Sequence, residues 1–373
     1  MVDRRNIQVQ HQVMKPKDRK LLYLSLFSRC RLSSAFPRLC FKVICATRLT
    51  PLLLLTLPGL TPAQFTWTTN ESTITITGYT GPGGNITIPS VITGLPVTRI
   101  GESAFYSVAN PLTNLTGVTI PESITNIGNS AFQQCAGLTN VTIPDSVTDL
   151  GEQSFCSCNS LVSLTIGKGV RTIKGGEGQP MFGTFQWSSS LTRLTIPDNI
   201  TNITDGYVHL GGSLGAFYNS GLTNVIIGKG LAYLGTGAFN YCQSLRNVFF
   251  LGDAPTTGVS YFGTDDVFHA SALVTVYYLP GTTGWGATLA GVPALLWNPQ
   301  VQTGDSSFGV GPNGFGFKVA GTPDIPIVIE ASANPATGSW APLQSCTLTN
   351  GLIYFSDAQW VNYSGRYYRI RSP

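Results

Sequence analysis

Residues 125–147, TNIGNSAFQQCAGLTNVTIPDSV, are followed at once by residues 148–170, TDLGEQSFCSCNSLVSLTIGKGV. The two segments place Thr, Gly, Phe, Cys, Leu, Thr, Ile and Val at the same offsets. The phrase L-x-x-[LV]-x-I recurs as LTGVTI (115–120), LTNVTI (138–143), LVSLTI (161–166), LTRLTI (191–196) and LTNVII (222–227), then decays to LRNVFF (245–250) and LVTVYY (273–278). Successive starts are 23, 23, 30, 31, 23 and 28 residues apart, and NITIP (85–89) reads as a truncated first copy. Self-similarity at such a period means stacked coils, because one copy buries its apolar face only against its neighbours. The repeat predicts a mainly β solenoid of about seven to eight short coils of ~23–31 residues.

Within a copy the roles follow from periodicity. Val141 and Ile143 point inward from a short strand while Thr142 points out, the alternation of a half-buried strand. Pro144 ends the strand, since it has no N–H for the ladder. Gly151 is expected to supply a positive-φ turn, after which Phe155, Cys158 and Leu161 fill the coil interior. Cys135, Cys158 and Cys242 share one offset and read as small buried hydrophobes.

The string I-P-x-x-[VI]-x-x-[IL]-G-x-x-[AS]-F-x-x-C-x-x-L closely resembles the BspA-like (Treponema-type) leucine-rich repeat. The resemblance covers roughly residues 85–285 and is strongest over 97–170 and 214–250. It implies a curved extracellular solenoid of a secreted or surface bacterial protein, in a family linked to adhesion and without a catalytic motif. Gly167 and Gly228 depart from it by standing where the strand-ending proline belongs.

The basic charge of the chain is confined to its front. Residues 1–63 hold eleven Lys/Arg against Asp3 and Asp18, a balance of +9, so residues 64–373 carry −5 of the overall +4. That argues against a nucleic-acid partner. RLTPLLLLTLPGLTPAQ (48–64) has the arginine, short apolar stretch and small residues of a secretory signal peptide, with cleavage expected after Ala63. The basic leader ahead of it is over-long for such a peptide, which places the expected start downstream of Met1. The apolar stretch falls short of the roughly 20 residues that cross a bilayer, so no membrane span is expected in the mature chain. Five cysteines follow the cleavage point, Cys135, Cys156, Cys158, Cys242 and Cys346, and an odd number does not close a disulfide framework.

The expected order is a signal peptide with basic leader (1–63), an N-terminal β cap (64–96), the solenoid (97–297), a linker (298–304) and a small antiparallel β-sandwich (305–373). Asn313-Gly314 and Asn350-Gly351 are the hairpin signals in the last segment. GVGPNG (309–314) matches G-x-G-x-x-G but leads into an alternating strand instead of a helix, so a dinucleotide site is rejected. The mature chain has only His209 and His269, in different copies, and Asp265 and Asp266 fall far short of the roughly six to eight oxygens a calcium ion takes. No constellation fits an enzyme, a cofactor or a metal.

Stacking the copies predicts one outward column of strand residues, Thr87, Thr119, Thr142, Thr165, Thr195, Ile226, Phe249 and Tyr277. Its change from Thr to Ile226, Phe249 and Tyr277 suggests an exposed aromatic platform, with Arg246 at the edge, for a sugar ring or a protein partner. The competing expectation is that the C-terminal segment folds back and covers that pair. Copies four and five carry longer loops, in which Trp187, Tyr207 and His209 are candidates for a secondary site. Two functions follow: a secreted or cell-surface recognition and adhesion module binding an extracellular protein or glycan, or a non-catalytic cell-envelope spacer whose C-terminal domain serves sorting or anchoring.

Overall fold

One phenylalanine leads the buried face of each coil, and these rings form a single column through the molecule. The computed structural model describes residues 7–9, 64–106, 112–176, 182–209, 212–259, 267–271 and 273–371. Apart from 7–9, the leader and its expected cleavage site lie outside the described residues. In the column, Phe105 stacks on Phe132 at 4.6 Å between ring centroids, Phe132 on Phe155 at 5.1 Å, and Phe155 on Phe185 at 5.7 Å. The series continues through Phe217 at 5.4 Å, Phe239 at 5.3 Å and Phe268 at 5.8 Å. These spacings lie close to the roughly 4.8 Å between neighbouring strands, so one ring per coil keeps step with the backbone ladder.

Each full coil contributes two short strands, which stack in parallel with their equivalents. One row runs through Gly84–Thr87, Leu115–Thr119, Asn140–Thr142 and Ser163–Thr165, and is taken up again by Arg193–Ile196, Asn224–Ile227, Asn247–Phe250, Thr275–Tyr278 and Val292–Leu296. Equivalent repeat positions pair in register, as in Val141 with Leu164 and Phe249 with Tyr277. The other row holds Asn126–Ile127 and Asp149–Leu150, then Thr172–Ile173, Asn202–Ile203, Tyr233–Leu234 and Thr256–Thr257. At its start Phe65–Asn70 and Thr73–Tyr79 form an antiparallel pair, and the second of these lies parallel to Leu95–Ile100. Val141, Ile143, Phe155, Cys158 and Leu161 are all buried.

Side chains staple coil to coil as well. The Thr139 hydroxyl donates to the Thr116 carbonyl at 3.2 Å and that of Thr223 to the Thr192 carbonyl at 2.9 Å. Asp145 accepts from the Lys168 backbone N–H at 2.9 Å, and Asp198 from that of Lys229 at 3.0 Å. Threonine and aspartate therefore recur because they satisfy backbone groups of the adjacent coil.

Gly151 differs from expectation. It does not adopt positive φ; a Cβ there would come within 2.4 Å of the Gly128 backbone. Its role is close approach between coils, and the left-handed positions fall instead on Gln153 (φ 57°) and Ser157 (φ 61°), on either side of Phe155. Gly167 and Gly228 have the same explanation, since a Cβ at Gly167 would meet the Pro144 carbonyl oxygen at 2.1 Å and one at Gly228 the Asp198 nitrogen at 2.5 Å. A coil that rests on its neighbour's proline turn has no room for a side chain of its own.

Beyond the solenoid two antiparallel sheets share apolar residues. One contains Pro326–Ser332 between Ala341–Thr347 and Tyr367–Arg371, with Ile7–Val9 along the outer edge of the last. The other centres on Gly314–Ala320, paired with Gln300–Gln302, Gly309–Gly311 and Leu352–Asp357. The linker expected at 298–304 therefore contains a strand, Gln300–Gln302, whose Val301 packs on the shared core. Asn313-Gly314 does turn a hairpin. Asn350-Gly351 does not: Asn350 (φ 55°) and Gly351 (φ 76°) are both left-handed, but the strands on either side belong to different sheets. A Cβ on Gly351 would meet the Gly321 carbonyl oxygen at 2.6 Å, so the glycine serves a crossing between sheets.

Phe155 is fully buried and stacked on both faces. Phe155→Ala is expected to cost about 3–5 kcal/mol, read as a fall in the urea midpoint. An unchanged midpoint would contradict the column.

Candidate functional site

The outward column changes character along the solenoid. Thr87, Thr119, Thr142, Thr165 and Thr195 are exposed and Ile226 is half-buried, whereas Phe249 and Tyr277 are only 3% and 5% exposed. The exposed aromatic platform is thus corrected to a buried contact. Phe249 and Tyr277 stack at 4.9 Å, Trp297 meets Phe249 edge-on at 6.4 Å, and all three join one apolar cluster with Phe315, Ile327 and Tyr368 of the C-terminal sheets. The Trp297 indole N–H donates to the Pro326 carbonyl at 2.9 Å, which fixes the junction. Burial pushes the Tyr277 phenol above its usual range.

Where the covered end meets the open face, a groove of about 790 Å³ forms. Its floor carries Ser163, Thr165, Arg193, Thr195 and Asn224, and its apolar side includes Ile226, Leu251 and Leu279. Thr165 and Thr195 make no side-chain hydrogen bond among the described residues, and Arg193 has no acidic partner among them. Asn224 is held in place, its side-chain carbonyl accepting from the Asn247 amide at 2.7 Å. Arg371 lines the far wall and is paired with Glu330 at 2.6 Å, as is Arg369. Glu330 is buried, so two guanidinium groups answer one desolvated carboxylate. Among the described residues, Arg193 is the groove cation without an acidic partner.

The other sequence candidates fall elsewhere. Arg246 turns back to donate to the carbonyls of Gln243 and Leu245, both at 2.9 Å, and does not serve as an edge for Phe249. Tyr207 lies on Tyr207–His209, which pairs antiparallel with Gly212–Leu214, so the fifth copy's insertion is a hairpin. The His209 side chain lies outside the described residues. Trp187 is half-buried and packs on Phe182 at 4.8 Å and Tyr218 at 6.4 Å. Tyr218 and its neighbour Tyr241 were not picked out by the strand pattern; the signal that marks them is an aromatic one or two residues after the buried phenylalanine.

Among the described residues no group of three or more His, Cys, Asp or Glu could hold a metal ion, and Asp265 and Asp266 lie outside them. The five cysteines that follow the leader are free. Burial pushes the thiols of Cys135 and Cys156 up to about 12 and that of Cys242 to about 11. Cys158 rises well above its usual range by burial, with Cys135 and Cys156 adding to it. Thiols so placed are not nucleophiles at neutral pH. No helix among the described residues is long and apolar enough to cross a membrane.

The family model described as BspA type leucine rich repeat region matches residues 84–207 and 182–271, in six copies, together just over half of the chain. Among solved structures, the chain is similar to the Treponema pallidum leucine rich repeat protein, at 27% identity over 54% of this chain and 86% of that one, with a TM-score of 0.44. It is also similar to a leucine rich cell surface protein of Faecalibacterium prausnitzii, at 23% identity over 63% and 72% of the two chains, with a TM-score of 0.38. A leucine-rich repeat protein from Bacteroides ovatus follows at 18% identity, covering 62% and 75%, with a TM-score of 0.27. No significant match to a curated protein was found.

Alkylation of the native protein at pH 8, mapped by mass spectrometry, is expected to spare Cys135, Cys156, Cys158 and Cys242 and to label Cys346, which is only half-buried. Rapid labelling of Cys156 or Cys158 without denaturant would contradict their placement.

Proposed function

We propose that this chain, which belongs to the BspA-type leucine-rich repeat family, is a non-catalytic recognition module of the bacterial cell exterior that seats an extended polypeptide segment in the groove. The observation that carries this reading is the run of exposed hydroxyl side chains that ends against an apolar wall beneath the C-terminal sheets. Thr165 and Thr195 offer donors and acceptors to a main chain, Arg193 meets an acidic side chain, and Ile226 and Leu251 meet an apolar one. The exposed part of this wall is aliphatic, which suits a peptide side chain better than a sugar ring, whose faces stack on aromatics. The expected export signal at 48–64 supports an extracellular setting. The −5 charge of residues 64–373 weighs against nucleic acid.

The spacer reading draws on the burial of Phe249 and Tyr277, which serve as an interdomain contact, but it leaves the hydroxyl floor and Arg193 without a role. Selection from a displayed peptide library separates the two. Peptides combining an acidic and an apolar residue are expected to be enriched, and Thr195→Trp and Arg193→Glu are each expected to weaken them at least tenfold, about 1.4 kcal/mol. Absence of any enriched peptide, or equal binding by both variants, would favour the spacer.

A further inference from the structure

A second row of aromatics runs along the turns, and it shares no residue with the groove. Trp187, Tyr218, Tyr241 and His269 follow the buried phenylalanines Phe185, Phe217, Phe239 and Phe268 by one or two residues, in four successive coils. Their rings succeed one another at 6.4, 5.3 and 6.1 Å, and Phe182 extends the row beyond Trp187 at 4.8 Å. Trp187, Tyr218 and Tyr241 are half-buried and His269 is exposed, so the row faces solvent. In the preceding coils Tyr106 follows Phe105, but Gln133 and Gln134 follow Phe132 and Cys156 and Ser157 follow Phe155, so the row is broken there. The ladder begins with the fourth copy.

Core packing does not explain it, because the phenylalanine column already fills the interior. The backbone argues against it as well. In the coils from Phe132 to Phe268 the second residue after the phenylalanine is left-handed, with φ of 58° at Gln134, 61° at Ser157, 59° at Trp187, 52° at Asn219, 58° at Tyr241 and 56° at Ala270. Asn suits that conformation, as at Asn219, whereas a bulky aromatic there is an outlier. Strain retained at two such positions, on the solvent side and in one row, is the pattern of a ligand site.

We propose that this ladder binds a neutral, linear β-1,4-linked polysaccharide lying along the solenoid axis, with successive pyranose rings against successive aromatics. An extended β-1,4 chain presents flat C–H faces at intervals comparable to these ring spacings, whereas an α-1,4 chain coils away from a straight row. The Tyr218 and Tyr241 hydroxyls and the His269 imidazole supply polar edges for the sugar hydroxyls. None of the described cavities is lined by these residues. A solvent-facing row of rings suits ring stacking rather than the pocketed anchors of a protein hot spot. Single-stranded nucleic acid also stacks on aromatics but requires a positively charged track, and residues 64–373 are net acidic.

The test is calorimetric titration of the full chain with cellohexaose and xylohexaose, with maltohexaose and an oligothymidine as comparison arms. Binding of one or both β-1,4 hexasaccharides is expected, with maltohexaose at least tenfold weaker. Trp187→Asn and Tyr241→Asn are each expected to weaken binding at least tenfold while leaving the melting temperature unchanged or raised, since Asn relieves the left-handed strain. The proposal is overturned if neither β-1,4 hexasaccharide binds, if both variants bind like the parent, or if oligothymidine alone binds. A fall in melting temperature in both variants with sugar binding intact would mark the rings as structural only.

Discussion

The stacked phenylalanine column is the constraint on which the rest of this molecule depends. Rings separated by 4.6–5.8 Å repeat at nearly the strand spacing, so each coil must bring its ring to the same height and angle as the last. That requirement fixes the neighbouring residues. The chain leaves the ring through a left-handed position in the coils from Phe132 to Phe268 and enters through one at Ser103, Ser130, Gln153 and Gly237, and the coils touch backbone to backbone at Gly128 and Gly151. Cys135, Cys158 and Cys242 fill the space beside the rings, each donating its thiol to the carbonyl of the preceding coil's phenylalanine. Because every coil is half of two interfaces, stability resides in the contacts between copies.

The solenoid has two ends, and each is closed differently. At the start Phe65 and Tyr79, from the antiparallel pair, pack against Phe105 at 6.4 and 5.6 Å. At the finish Trp285 stacks on Tyr278 at 4.9 Å and meets Phe250 edge-on at 5.1 Å. The C-terminal sheets close a different surface, the outward face of the last strands over Phe249 and Tyr277. This leaves two open surfaces of unlike chemistry, a hydroxyl-floored groove beside the covered strands and an aromatic row on the turns. One solenoid can thereby present two kinds of contact.

Much of this was legible in the repeat. The offsets that recur together mark Val141, Ile143, Phe155, Cys158 and Leu161, all buried, because period and burial have the same cause in a solenoid. What was not legible came from contacts between distant segments. Phe249 and Tyr277 occupy the outward strand position, and the alternation leaves open whether they face solvent or lie under the C-terminal segment, as residues 300–371 in fact place them. The repeat marks Gly151 as a turn glycine, whereas its neighbour 23 residues earlier forbids a side chain. Asn350-Gly351 has hairpin conformation without a hairpin, since its flanking strands find partners in separate sheets. Tyr218 and Tyr241 stand outside any fixed-offset comparison, because the turn aromatics shift between one and two residues after the phenylalanine.

The groove exists because the C-terminal sheets cover the last strands of the outward face. Hydroxyl-radical footprinting of the intact protein, read residue by residue by mass spectrometry, tests it most directly. Phe249, Tyr277 and Trp297 are expected to be oxidised as slowly as the core residue Phe155, while Tyr354 and Tyr363, 49% and 37% exposed, react quickly. Oxidation of Phe249 and Tyr277 at the rate of Tyr354 would show the outward face to be open, and the groove would have no wall.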